Sequence, residues 1–266
     1  MKGQTMRALQ IAASGMSAQQ MRVDVISNNL ANMSTTGYNA RRAEFADLQY
    51  QQATRPGTLT ATNGAMVPAG VQLGLGVRPA SVTVMLAQGT PVQTNGDLDI
   101  AIEGNGYLEV TLPSGISAYT RDGSLKRSAE GQVVTSEGYP LVPDITIPED
   151  ARSIAINADG QVFAYFDDRV EPENLGQITL ANFVNGKGLE AVGSNMFLET
   201  PASGAPQVAA PGQEGLGTIR AGFLEESSVD PVREIAELIK AQRGYELNSK
   251  VITAADQMLG TTVQVR

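Results

Sequence analysis

The chain has 266 residues and a formal charge of −9, from 28 acidic and 19 basic side chains. It contains no cysteine, histidine or tryptophan, which excludes disulfides, thiolate zinc sites, cysteine nucleophiles and every imidazole-based acid, base or metal ligand. Aromatic residues make up only 5%, and with the negative charge this argues against a nucleic-acid surface.

The first zone, residues 1–45, carries five basic and two acidic side chains. Lys2 and Arg7 are not followed by an apolar core segment, and the longest purely apolar run anywhere is the five residues from Val162 to Phe166. The expectation is neither a cleaved secretory signal nor a membrane span, which leaves export without cleavage open. Leu9, Met16, Val23 and Leu30 recur every seven residues, with Ala12, Gln19, Ile26 and Met33 three positions further on. This is a heptad seam and predicts a helix. Ser14–Gly15 is its weak point, because glycine costs about 1 kcal/mol inside a helix. The turn-forming residues 34–37 (STTG) predict an end near Asn32.

Residues 46–79 are small and polar, with glycine at 57, 64, 70, 74 and 76 and proline at 56, 68 and 79. A stretch of that length is either a linker or a functional extension. The spacing of Val67, Val71, Leu73, Leu75 and Val77 suits one face of an extended strand. We therefore expect a folded-back, hairpin-like arm that pairs between neighbouring subunits.

The middle of the chain reads as β structure. Short apolar or alternating runs begin at Val82, Leu98, Tyr107, Val133, Ile145, Ile154, Val162 and Ile178. Turn pairs such as Asn95–Gly96, Asp122–Gly123, Glu130–Gly131, Asp159–Gly160 and Asn185–Gly186 separate them. The acidity concentrates here: residues 46–227 hold 21 acidic and nine basic side chains. Candidate chemistry loses to simpler readings. The calcium-loop-like start at Asn157 and Asp159 lacks a correctly placed glycine and a bidentate glutamate, so a β-turn explains it better. Asp167, Asp168, Glu171 and Glu173 flank Pro172 and read as solvated acids rather than a catalytic pair. The Gly-x-Gly pairs lack the third glycine and the phosphate-binding lysine. No enzyme activity, cofactor or metal site is expected.

The last zone, residues 228–266, is charge-balanced, with five residues of each sign. Asp230–Pro231 predicts a helix start, with an aspartate cap and proline in the first turn. Leu238, Tyr245, Ile252 and Leu259 again repeat every seven residues, and Gly260 is the expected stop. Both chain ends thus carry a narrow apolar stripe that needs a partner. The other end of the chain is the most economical one, and an ordinary helical hairpin packed on the central part is the alternative.

Three stretches carry a family resemblance. Residues 13–20 (ASGMSAQQ), 25–39 (VISNNLANMSTTGYN) and 42–45 (RAEF) resemble the N-terminal signature of the bacterial flagellar rod and hook proteins. Residues 227–232 (SSVDPV) and 237–252 (ELIKAQRGYELNSKVI) resemble that family's C-terminal signature, and 99–107 (DIAIEGNGY) with 119–125 (YTRDGSL) its first β domain. The signature residues are Asn28, Asn29, Leu30, Ala31, Asn32, Thr36, Gly37 and Phe45. Chain length, residues 72–79 (QLGLGVRP) and residues 201–206 (PASGAP) resemble the distal rod members most.

The resemblance implies an α+β fold whose N- and C-terminal helices pair as a coiled coil, with mainly antiparallel β domains between them. Its implied divisions are a helical core from 1–45 and 228–266, an arm at 46–79, a first β domain from 80–135 and 190–227, and a second at 136–189. It implies a structural subunit of the distal rod that self-assembles helically into a hollow drive shaft crossing the periplasm. The implied partners are further copies of itself, other rod proteins, the hook, the surrounding bushing rings and the flagellar type III export apparatus, with no nucleic acid and no direct membrane insertion. The assembly seam would be Leu9, Met16, Val23, Ile26 and Leu30 against Leu238, Tyr245, Ile252 and Leu259. Proximal rod and hook proteins are the near alternatives. A secreted adhesive or carbohydrate-binding β protein is a more distant one, which would leave the heptad ends without a role.

Overall fold

The computed structural model describes residues 2–54, 70–167, 169 and 171–264, and it brackets a series of short strands between two long helices. Helix α1 (Lys2–Ala31) stops where the turn residues begin, and Ser14–Gly15 does not interrupt it. Helix α2 (Pro231–Gln264) starts on the proline of the Asp-Pro pair. It also runs through Gly260, which corrects the expected stop there. Glycine ends a helix by adopting the left-handed conformation, and Gly260 does not adopt it, so only its propensity cost of about 1 kcal/mol remains.

The chain forms two compact units. One comprises residues 1–30, 41–83 and 231–266, and the other 31–40 and 84–230. In the first, α1 and α2 run antiparallel. Arg22 of α1 pairs with Glu237, the Gln19 side chain lies against Gly244, and Gly15 faces Asn248, so positions rise on one helix as they fall on the other. The same unit holds four strands that include the described part of the expected 46–79 arm and extend it at both ends: β1 (Arg41–Asp47), β2 (Gln51–Thr54), β3 (Val71–Leu73) and β4 (Val77–Val84). Strand β1 pairs with β4, and β2 pairs antiparallel with β3 in the register Gln51 to Leu73. Leu48 N–H donates to the Gly76 carbonyl at 2.9 Å between the two pairs. Strands β3 and β4 thus find their strand partners within this chain. Leu75 sits in the connection between them, and Val67 lies outside the described residues.

The second unit is mainly antiparallel β structure. Its largest sheet has seven strands, with Tyr107–Thr111 at the centre pairing with Ser117–Thr120, Leu180–Asn182 and Leu141–Val142. Ser153–Ile156, Gln161–Tyr165 and Glu173–Gln177 form a separate three-stranded sheet. Period-two alternation sorts the faces: Leu108 and Val110 enter the main core, while Tyr107 enters an aromatic cluster with Tyr119, Phe183 and Phe197. The main core is continuous. It joins Ile100, Ile102 and Leu108 to Ile145, Ile147, Val162 and Ile178, so residues from 136–189 share it with residues from the flanking stretches.

Candidate assembly site: the paired helices and the signature segments

The helix contacts place Gly15 against Asn248, Gly244 against Gln19 and Arg22 against Glu237. Ala12, Ala18 and Ile26 are buried on α1, and Ala241 and Ala255 are buried on α2. At Gly15 an added Cβ would fall 2.8 Å from Asn248 Nδ2, and at Gly244 it would fall 3.2 Å from Gln19 Cδ, so the two backbones approach closely there. The heptad residues flank this contact. Leu9, Met16, Val23, Leu30, Leu238 and Ile252 are half-buried, Ile26 is buried and Tyr245 is exposed. The Leu259 side chain lies outside the described residues. Val23 and Tyr245 share an open groove of about 430 Å³ with Gln20, Gln242 and Glu246.

The pair leaves part of α2 exposed, including Ile235, Ile239, Leu247 and Val251. Gly15 and Gly244 were the available signal for the close intrachain contact, and a search for large apolar heptads passes over them. One polar cluster edges the pair. Glu237 accepts from Arg22 and, at 2.7 Å, from Lys240. The Lys240 hydrogen bond and the Arg22 charge hold its carboxyl below the usual carboxylate range.

The signature residues occupy specific structural positions. Asn29 is buried on α1 and clamps the start of β1: its Oδ1 accepts Arg41 N–H at 2.9 Å, and its Nδ2 donates to the Arg41 carbonyl at 2.8 Å. Asn28 and Ala31 are exposed, Leu30 is half-buried, and Phe45 is half-buried on β1. Asn32 Oδ1 accepts from Thr35 Oγ1 at 3.1 Å and shapes the turn after the helix. The Thr36 carbonyl accepts Asn195 Nδ2 at 2.9 Å. Gly37 has φ +65°, its N–H donates to the Glu225 carbonyl at 2.8 Å, and a Cβ there would lie 2.8 Å from the Arg121 carbonyl. Only glycine meets both demands without strain.

Gly37 thereby reaches a buried ion pair, Arg121 with Glu225, that local sequence patterns do not single out. Arg121 Nε and Nη2 donate to Glu225 Oε2 at 3.0 and 2.8 Å, and the remaining guanidinium hydrogens go to the carbonyls of Ile102, Gly104 and Gly106. Glu225 Oε1 accepts Gly89 N–H at 2.9 Å. The arginine of the YTRDG stretch thereby ties its own segment to residues 102–106 and to Glu225, and Glu225 adds Gly37 and Gly89. Among the described residues no cluster of acids could hold a metal ion, and no helix is long and apolar enough to cross a membrane.

The sequence of this chain matches known proteins along its length. Residues 9–39 match the flagella basal body rod protein family, residues 101–164 the D1 domain of flagellar hook protein FlgE/F/G, and residues 220–265 the C-terminal region of flagellar basal body rod FlgEFG proteins. The chain is 52% identical to the flagellar basal-body rod protein FlgG of Caulobacter vibrioides over 98% of its own length and all of that protein. It is 48% identical to the FlgG of Borreliella burgdorferi, covering 96% of this chain and 97% of that one. The Bacillus subtilis FlgG is 36% identical over 98% and 99% of the two chains.

The chain belongs to the flagellar basal-body rod family. Within that family it is most like the distal rod protein, and it is a structural subunit of the basal-body rod rather than an enzyme.

Proposed function

We propose that this subunit polymerises helically through its terminal helices into the hollow, rigid distal segment of the rod, which carries motor torque to the hook. The helices pair as a coiled coil in that polymer. The observation that carries this reading is the exposed apolar surface of α2. The helices approach closely at Gly15 and Gly244, and Ile235, Ile239, Leu247 and Val251 remain exposed. Apolar surface of that extent on a long helix signals a protein partner, and copies of the same chain supply matching faces. Other rod proteins and the hook are its axial neighbours, the bushing rings surround it, and the flagellar export apparatus delivers it. The acidic β body, with most of the chain's negative charge, suits the outer surface of such a shaft. Leu247→Asp and Ile239→Asp test the proposal. Each change leaves the folded subunit intact but places an unpaired carboxylate in an apolar interface, at a cost of several kcal/mol per contact. The expected result is normal export and normal circular dichroism with no incorporation into basal bodies. Wild-type incorporation of both variants refutes the assignment of this face.

A further inference from the structure

Within its own unit the arm meets α1 at three points that follow one another in order. Asn29 holds both backbone groups of Arg41. Ser14 Oγ donates to the Ile11 carbonyl at 2.8 Å and accepts Val77 N–H at 3.3 Å, so it joins the helix backbone to the arm backbone. Arg7 Nη1 donates to Gln51 Oε1 at 2.9 Å. The two paths have matching lengths. From Asn29 back to Arg7 is about 22 helical residues, or roughly 33 Å at about 1.5 Å each. From Arg41 to Gln51 is about ten extended residues, again roughly 33 Å at about 3.3 Å each. A strand and a helix held at both ends with equal rise can lie side by side without slack.

The central contact is also the tightest. Gly76 has φ +115°, and a Cβ there would sit 2.3 Å from Ser14 Oγ and 3.5 Å from Ile11 Cα. The next helix residue, Gly15, faces Asn248 of α2 at close range. The weakest point of α1 by propensity is therefore gripped by the arm through Ser14 and by the second helix through Gly15.

We propose that the arm is an intramolecular splint, docked along the α1 of its own subunit and holding that helix across Ser14–Gly15. Stiffness is then built into each subunit, in addition to whatever neighbouring subunits contribute. The inference rests on the rod reading only for the assembled state in which it is assayed.

The chain has no cysteine, so engineered pairs report cleanly. In S14C/G76C the two Cβ atoms would start about 3.3 Å apart, close to the roughly 3.5–4.5 Å of a disulfide. Because Gly76 has positive φ, a second pair, R7C/Q51C bridged by a short bis-maleimide, avoids that position. Basal bodies from cells producing each variant are cross-linked and run on a denaturing gel without reductant, alongside the unassembled soluble fraction. The expected result in basal bodies is a cross-linked chain of monomer mass, shifted in mobility, as the dominant product of at least one pair. A covalent ladder of dimers and higher species shows that the arm docks on a neighbour, and uncross-linked monomer from both pairs shows that it does not dock there. Either outcome overturns the splint. A cysteine-free chain missing from basal bodies would instead overturn the rod reading, and the soluble fraction then decides the splint by the same gel.

Discussion

Replacing Glu225 by alanine tests the claim that the Arg121–Glu225 pair organises the β unit. The two side chains are 9% and 3% exposed, so neither is screened by water. The change removes two charged hydrogen bonds to Arg121 and the acceptor for Gly89 N–H. Breaking a buried pair by deleting one member costs about 3–5 kcal/mol, because the surviving charge is left uncompensated. The carbonyls of Ile102, Gly104 and Gly106 still solvate the guanidinium, which places the charge contribution near the lower end, about 3 kcal/mol. The orphaned Gly89 N–H adds about 1 kcal/mol or more. The expected total is about 4 kcal/mol, a large share of the roughly 5–15 kcal/mol that stabilises a typical domain. Glu225→Gln keeps the volume and one acceptor and should lose less. Urea unfolding of the full-length chain, followed by circular dichroism, gives both values. Truncation of both partners, R121A with E225A, should cost less than the sum of the single changes, since no charge is then stranded. An E225A variant within about 1 kcal/mol of wild type would refute the reasoning.

Gly37→Ala should destabilise the β unit by at least about 1–2 kcal/mol, since it combines a left-handed backbone with a Cβ set against the Arg121 carbonyl; an unchanged urea midpoint would contradict this. Gln19→Leu should raise the melting temperature of the helices, because Gln19 Oε1 is buried with no hydrogen-bond partner and removing it relieves about 1–3 kcal/mol. A lower melting temperature would show that the amide is needed to set the helix register. Alkaline pH should weaken the β unit through Tyr119. Burial, followed by the charges of Glu109 and Glu199, pushes its phenol from 10 up to about 12. The folded chain therefore holds that proton more tightly than the unfolded chain. The stabilisation is complete below pH 10 and is lost as pH rises from 10 towards 12. Tyr119→Phe should flatten that part of the stability–pH curve, and a curve of wild-type steepness would exclude Tyr119 as the cause.

Local chemistry in the sequence was enough to place both helices and several strands. The STTG turn marked the end of α1, and Asp230–Pro231 marked the start of α2, because caps and turns depend on a few consecutive residues. Alternation located the central strand, and the terminal signatures pointed to the rod family before any fold was known. Gly260 failed as a stop because a glycine ends a helix only when the backbone turns left-handed, which residue type alone does not require. Choices of partner were not legible. The heptads named Leu9, Met16, Val23 and Tyr245, while the closest approach of the two backbones lies at Gly15 and Gly244, where a missing side chain leaves room for Asn248 and Gln19. Arg121 finds Glu225 across 104 residues of chain, and Arg7 finds Gln51 across 44. Such contacts depend on which surfaces folding brings together, and that is a property of the packed chain rather than of any window of its sequence.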